Sequence, residues 1–284
     1  LLRLGIEPQH VIANVEGDRV RDWEIENPNH TCFPYDKTLN PFMTATVTQY
    51  LWPHRTALWL WLRREPNGNH REIGLSWYEW SRFQRERFKI PLSITFAEVA
   101  THNHFVLDRG GKVFKQTAPV IKLPADASEA QHFALLGLLN SSTACFWIKQ
   151  VFQAKGGDHV GTEGARVRKT LWDERFQLAG TGMKKFPVAE DPHHRAQLMA
   201  QKLDQMAQQL AAVGPDTIFK QVDADIQNRL SIAQQQETHI LGQMIALQEE
   251  LDWYVYTLYG LIDEALCYDG TLPDVELGQR VFEI

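Results

Sequence analysis

The sequence predicts an α+β protein: a mixed α/β domain over residues 1–191, followed by a long antiparallel helical hairpin of coiled-coil character and a C-terminal tail over residues 192–284. Three observations point there. Between Pro91 and Leu123, β-branched and aromatic residues recur with a period of two, as strands require. Past Asp191 the composition turns to Gln, Ala and Leu. Beyond that point Met199, Leu203, Met206, Leu210 and Val213 alternate spacings of four and three. So do Ile226, Leu230, Ala233, Ile240, Met244, Leu247, Leu251, Tyr254 and Leu258, with Glu237 breaking the apolar register.

Taken in order, residues 1–35 suit short strands and loops punctuated by Gly17-Asp18, Asn27-Pro28 and Phe33-Pro34. A helix is expected from about Val47 to Arg64, where Tyr50, Leu51, Leu58, Trp61 and Leu62 keep helical intervals and Pro53 fits a first turn. A polar loop and the Trp- and Arg-rich "SWYEWSRFQRERF" follow. The stretches "LSITFAEVATHNHFVLD" and "KVFKQTAPVIKL" read as two arms of a β-hairpin turning at Arg109-Gly110-Gly111. On such a strand His102 and His104 share one face. Ser128, with Gln131 three residues on, opens a helix through a capping box, and that helix continues or breaks near Asn140-Ser141. A glycine-rich basic loop, "AKGGDHVGTEGARVRKT", and a last short strand complete the domain. Gly214-Pro215 then separates the two hairpin helices, the second long enough, at about 35 residues, to span roughly 50 Å.

Composition narrows the function classes. No run approaches the roughly 18 apolar residues of a membrane span, and the first twenty residues lack a signal peptide's layout, so no membrane partner and a cytoplasmic location are expected. Cys32, Cys145 and Cys267 are too scattered for a disulfide framework or a structural zinc site. The chain opens at Leu1 rather than Met and reads as a fragment. Its net charge of −6 conceals a polarity: 20 Lys and Arg against 12 Asp and Glu between Pro53 and Lys185, but 5 against 16 from Glu190 to the end. A basic middle suits a polyanion.

The motifs exclude more than they assign. His102 and His104 offer two metal ligands, but His70, His132 and Asp108 have no spacing that brings a third, so no metal site is expected. No Gly-x-Ser-x-Gly occurs, and no catalytic residue is expected. The "DRGG" and "KGGDHVGTEG" runs lack P-loop spacing but would let nearby cations approach a phosphodiester backbone. Asn40-Pro41-Phe42 lacks the second proline of the Asn-Pro-Pro-Tyr loop of amino-methyltransferases. Trp59, Trp61, Trp77 and Trp80 read as packing residues rather than stacking platforms.

Several stretches, in this order, resemble the C-terminal portion of large adenine-specific DNA methyltransferases of the type IIG-like and BREX phage-defence (PglX) class. They are "GDRVRDW", "FPYD", "YLWPHRTALWLWLRRE", "SWYEW", "ITFAEVATHNHFVLDRGGKVFKQTAPVIKLP", "ALLGLLNSSTACFWIKQ", "KKFPVA" and "ALQEELDWYVYTLYGL". "LLGLLNSS" and "EELDWYVYTLYGL" recur more loosely across target-recognition domains, including type I specificity subunits. The resemblance implies a DNA target-recognition domain followed by a helical spacer. It also implies double-stranded DNA and an N-terminal methyltransferase domain as partners, with S-adenosylmethionine held by that missing domain and no cofactor in this chain. On local chemistry Arg109, Lys112, Lys115, Lys155, Arg166, Arg168 and Lys169 are expected at phosphates, and Asn103, His104 and Gln116 at base edges. A second reading makes the chain an assembly module, its hairpin docking other defence-system proteins or a second copy, with polar substitutions at Leu247 and Leu251 separating the two. A third is a hydrolase built on His102, His104 and Asp108.

Overall fold

Two runs of four consecutive buried residues, Ser93–Phe96 and Phe105–Asp108, pair antiparallel from Ser93↔Asp108 to Phe96↔Phe105, and Val120–Ile121 lines the other edge of Ser93–Phe96. Their side chains divide by strand alternation. Ile94, Phe96, Phe105 and Leu107 enter the largest core, while Val106 packs with Val15, Val20 and Ala118 in a smaller one. The computed structural model describes residues 1–64, 67–155, 159–160, 166–168, 174–189, 194–219 and 225–279. The architecture is α+β, as expected.

The hairpin expected across Arg109-Gly110-Gly111 does not form. Gly110 and Gly111 both take positive φ, 94° and 72°, which glycine adopts without a Cβ clash. They turn the chain into a second sheet, where Lys112–Phe114 runs parallel to Val11–Val15 and Asn29–Cys32 closes the far edge antiparallel. The outward edge of Phe105 is already taken. Its N–H donates to Asn140 Oδ1 at 3.0 Å, and its carbonyl accepts from Asn140 Nδ2 at 2.8 Å, so one side chain substitutes for a strand.

The same asparagine ends a helix. Ser128 and Gln131 form the anticipated capping box on Glu129–Leu139, and a fresh cap at Ser141 starts Ser142–Val151. The "LLNSS" stretch is therefore a structural clamp between sheet and helices. The helix expected from Val47 to Arg64 is shorter and broken: Thr44 caps Ala45–Leu51, a 3-10 turn covers Trp52–His54 around Pro53, and Arg55–Trp59 follows. A proline inside a helix removes one N–H and crowds the preceding turn.

The hairpin helices are His194–Val213 and Ile226–Leu258. They run antiparallel, since Arg195 at the start of the first stacks on Tyr254 near the end of the second, its Cζ 6.0 Å from the ring centre. The hairpin is not a free-standing spacer. Ala196, Ala200, Leu203, Ala207, Met244, Leu247, Leu251 and Val255 belong to the same core as Phe105 and Phe133. Buried Asp252 accepts the Ser142 N–H at 2.7 Å. At Gly137 the two parts approach so closely that a Cβ would lie 2.9 Å from the Ala196 carbonyl oxygen. Because Leu247 and Leu251 are buried in this shared core, polar residues there would test folding rather than assembly. The first half of Ile226–Leu258 differs: between Ile226 and His239 only Ala233 is buried.

Candidate nucleic-acid interface

The cations around the glycine turn are neutralised from within. Arg109 donates through Nε to Glu129 and through Nη2 to Asp204 of the first hairpin helix, both at 2.8 Å. Burial pulls the guanidinium's pKa down, but the carboxylates of Asp204 and Glu129 outweigh it and leave it raised. Lys112 Nζ meets buried Asp108 at 2.6 Å. Lys115 Nζ meets Glu16 at 2.7 Å, and this hydrogen bond holds the Glu16 carboxyl below its usual range. Lys155 is exposed, and its backbone N–H donates to Arg175. Arg166 and Arg168 lie on a strand, Arg166–Arg168, paired antiparallel with His159–Val160. Lys169 lies outside the described residues.

The three residues expected at base edges part company. Asn103 donates to the carbonyls of Leu139 at 2.7 Å and Ser141 at 3.0 Å, which commits its amide to the clamp. His104 is buried, with Nδ1 3.0 Å from Asp22 Oδ1. Gln116 is exposed. His102 and His104 do share one side, their ring centres 4.0 Å apart, although a bend rather than a strand puts them there.

A different surface combines exposed rings with cations that have no ion-pair partner among the described residues. Arg55 lies over Trp52, 3.9 Å from its ring centre, and Arg71 over Trp59 at 5.9 Å. Trp52 is 54% exposed and Trp61 62%, so neither indole serves the core. The chain from Leu58 to Trp61 separates two open cavities: Trp59 and Leu60 line one with Arg55 and Arg71, Leu58 and Trp61 the other. The second, of about 570 Å³, has an aromatic floor of Trp80, Phe83 and Phe88 and a rim carrying Arg82, Arg87 and Lys112. His70 lines it too, 3% exposed, with neither ring nitrogen hydrogen-bonded among the described residues. Behind the floor, Phe33 and Tyr35 pack edge-on against Trp80, and Tyr35 OH accepts the Trp80 N–H at 2.8 Å. Burial raises the Tyr35 phenol to about 12.

The face draws on the segment expected as one helix and on the Trp- and Arg-rich segment after it, and the expected packing role of the tryptophans obscured it. One signal was available: Trp59 and Trp61 are two residues apart, and positions i and i+2 of a helix cannot both face one core.

The class this surface suits is a protein that lays cationic and aromatic groups against a polyanion. A family described as a domain of unknown function (DUF7008) matches residues 244–284. The chain is also 41% identical, over 99% of its length, to a Streptomyces coelicolor protein named adenine-specific methyltransferase PglX. It spans 24% of that relative's length. The resemblance read from the motifs is thus borne out across the whole chain.

Proposed function

We propose that this chain is the DNA target-recognition region of an N6-adenine DNA methyltransferase of a restriction-modification or BREX phage-defence system, with catalysis performed by a part of the protein outside it. The observation that carries this reading is the identity, along nearly the full chain, with about a quarter of an adenine-specific methyltransferase. A methyltransferase acting on a base within a duplex must extrude it, and other parts of the protein must hold the flanking DNA while it does so. The Trp52–Arg87 face offers two means: Arg55, Arg71, Arg82 and Arg87 to sit on phosphates, and exposed indoles to pack against sugar or unstacked base. Its partners would be double-stranded DNA and the methyltransferase domain, in the cytoplasm. No described helix is long and apolar enough to cross a membrane.

S-adenosylmethionine would belong to that other domain. Among the described residues no glycine-rich turn joins a parallel strand to an α-helix, the arrangement that cradles nucleotide-like cofactors.

The test is duplex-DNA binding followed by fluorescence anisotropy at several salt concentrations. A face neutralising about four phosphates should lose roughly 100-fold in affinity between about 50 and 200 mM salt. Flat affinity over that range would overturn the reading.

A second reading, assembly through the hairpin, is favoured by the exposed Ile232 and Leu241 on the solvent-facing part of Ile226–Leu258. Substituting both with Ser would shift a concentration-dependent sedimentation profile if they form a contact, and leave it unchanged otherwise.

A further inference from the structure

We propose that Asp22, His102 and His104 form a binding site for a divalent transition-metal ion, with Zn²⁺ the best match to its donors. Each residue offers one ligand atom, and the three atoms all lie within 4.8 Å of one another. Four-coordinate zinc, with bonds of about 2.0–2.2 Å, sets its ligand atoms roughly 3.3–3.5 Å apart. The Asp22–His104 separation of 3.0 Å is already close to that, and modest rotations of the exposed Asp22 and His102 side chains would bring the rest into range. Two imidazole nitrogens and one carboxylate oxygen suit zinc or its neighbours, cobalt and nickel, over magnesium or calcium, which prefer all-oxygen sets. Asp22 and His102 are exposed, so solvent would occupy the remaining position.

The site is held from behind. Asn103, between the histidines, is fixed to the Leu139 and Ser141 carbonyls, and Phe105 just beyond is fixed to Asn140. The Thr101 hydroxyl is 2.9 Å from His102 Nδ1, a contact that orients the ring and leaves Nε2 for a ligand bond. Asp22 sits in the tight turn between the paired strands Val20–Arg21 and Glu24–Ile25. Its neighbour Trp23 has φ 68°, a conformation costly for a bulky residue, yet its indole is buried in the main core. That anchor fixes the turn carrying Asp22 beside the histidines.

Arg21 and Lys149 act electrostatically on His102 and would weaken binding of any cation, with the Asp22 carboxylate as the opposing charge. Spacing in the sequence could not supply Asp22, 82 residues from His104.

The experiment uses the full chain without a histidine tag, stripped with EDTA, and titrates ZnCl₂ by calorimetry and CoCl₂ by visible absorption. Binding near one ion per chain is expected, with the intense d–d bands of a low-coordinate cobalt site and no response to MgCl₂. Asp22→Asn and His102→Gln, both at exposed positions, should each weaken zinc binding about tenfold or more while circular dichroism and melting of the metal-free protein stay unchanged. No zinc binding at millimolar metal, or undiminished binding in both variants, would overturn the proposal. Low-intensity octahedral cobalt bands in the unmodified chain would also overturn it, whatever the variants do.

Discussion

Each of Arg109, Lys112 and Lys115 meets a carboxylate within 2.8 Å, whereas Arg55 and Arg71 lie over indole rings, and neither they nor Arg82 and Arg87 have an ion-pair partner among the described residues. A count of charges along the chain does not separate the two groups. The difference is geometric: Asp204 and Glu16 reach their partners from 95 and 99 residues away, while an indole face attracts a guanidinium without neutralising it. Cations of the first kind are engaged by carboxylates of the fold, and those of the second have no such partner among the described residues.

The most severe way to break this contrast is to undock the hairpin that carries Asp204. Leu251 is fully buried in the core shared by hairpin and sheet, so Leu251→Ala should cost about 2–5 kcal/mol. Sheet and hairpin should melt in one cooperative transition, displaced to lower temperature in calorimetry. An unshifted first transition followed by a separate loss of helix would show that the two parts fold independently. Next in size is Gly137→Leu, whose Cβ would press on the Ala196 carbonyl oxygen at 2.9 Å and lie 3.4 Å from the Ala200 Cβ. A loss of about 1–3 kcal/mol is expected in urea denaturation, as for other overpacked cores.

How much of this was legible follows from the range of the interactions. The capping box at Ser128 and Gln131 and the two hairpin helices are local and appear where the residues alone place them, and of the two readings left open at Asn140-Ser141 the break is the one that forms. The parallel pairing of Val15 with Phe114 is not local, and no turn chemistry encodes it. Nor could periodicity reveal that Asn140 would occupy the edge of Phe105 and turn the following strand away. The same limit hid the candidate interface: tryptophan is amphipathic, and whether it packs inward or lies outside depends on what other segments cover it. The resemblance carried by the motifs extended over nearly the full chain, but Asn103 and Asn140, within the stretches that carry it, turn out to clamp the fold.

Arg109→Ala sharpens the contrast from the stabilising side. It leaves Asp204 buried, with Gln208 as its remaining partner at 2.7 Å, while Glu129 is free to be solvated. Because Arg109 is itself nearly half exposed, solvent screening keeps the loss to about 1 kcal/mol, near the low end for a stranded buried acceptor. DNA affinity should stay within twofold of the unmodified chain. A steep fall in affinity without a fall in stability would place Arg109 at the DNA after all.

Arg71→Ala tests the other side with the smallest effect on the fold. The side chain is exposed and has no ion-pair partner among the described residues, so stability should change by no more than about 0.5 kcal/mol. If it contacts a phosphate, the slope of log affinity against log salt should become shallower by about 1. Affinity should fall to a similar degree on unrelated duplexes, because a phosphate contact carries no base information. A loss confined to one sequence would instead make Arg71 a base reader. An unchanged slope would remove it from the interface, leaving Arg55, Arg82 and Arg87 to be tested in the same way.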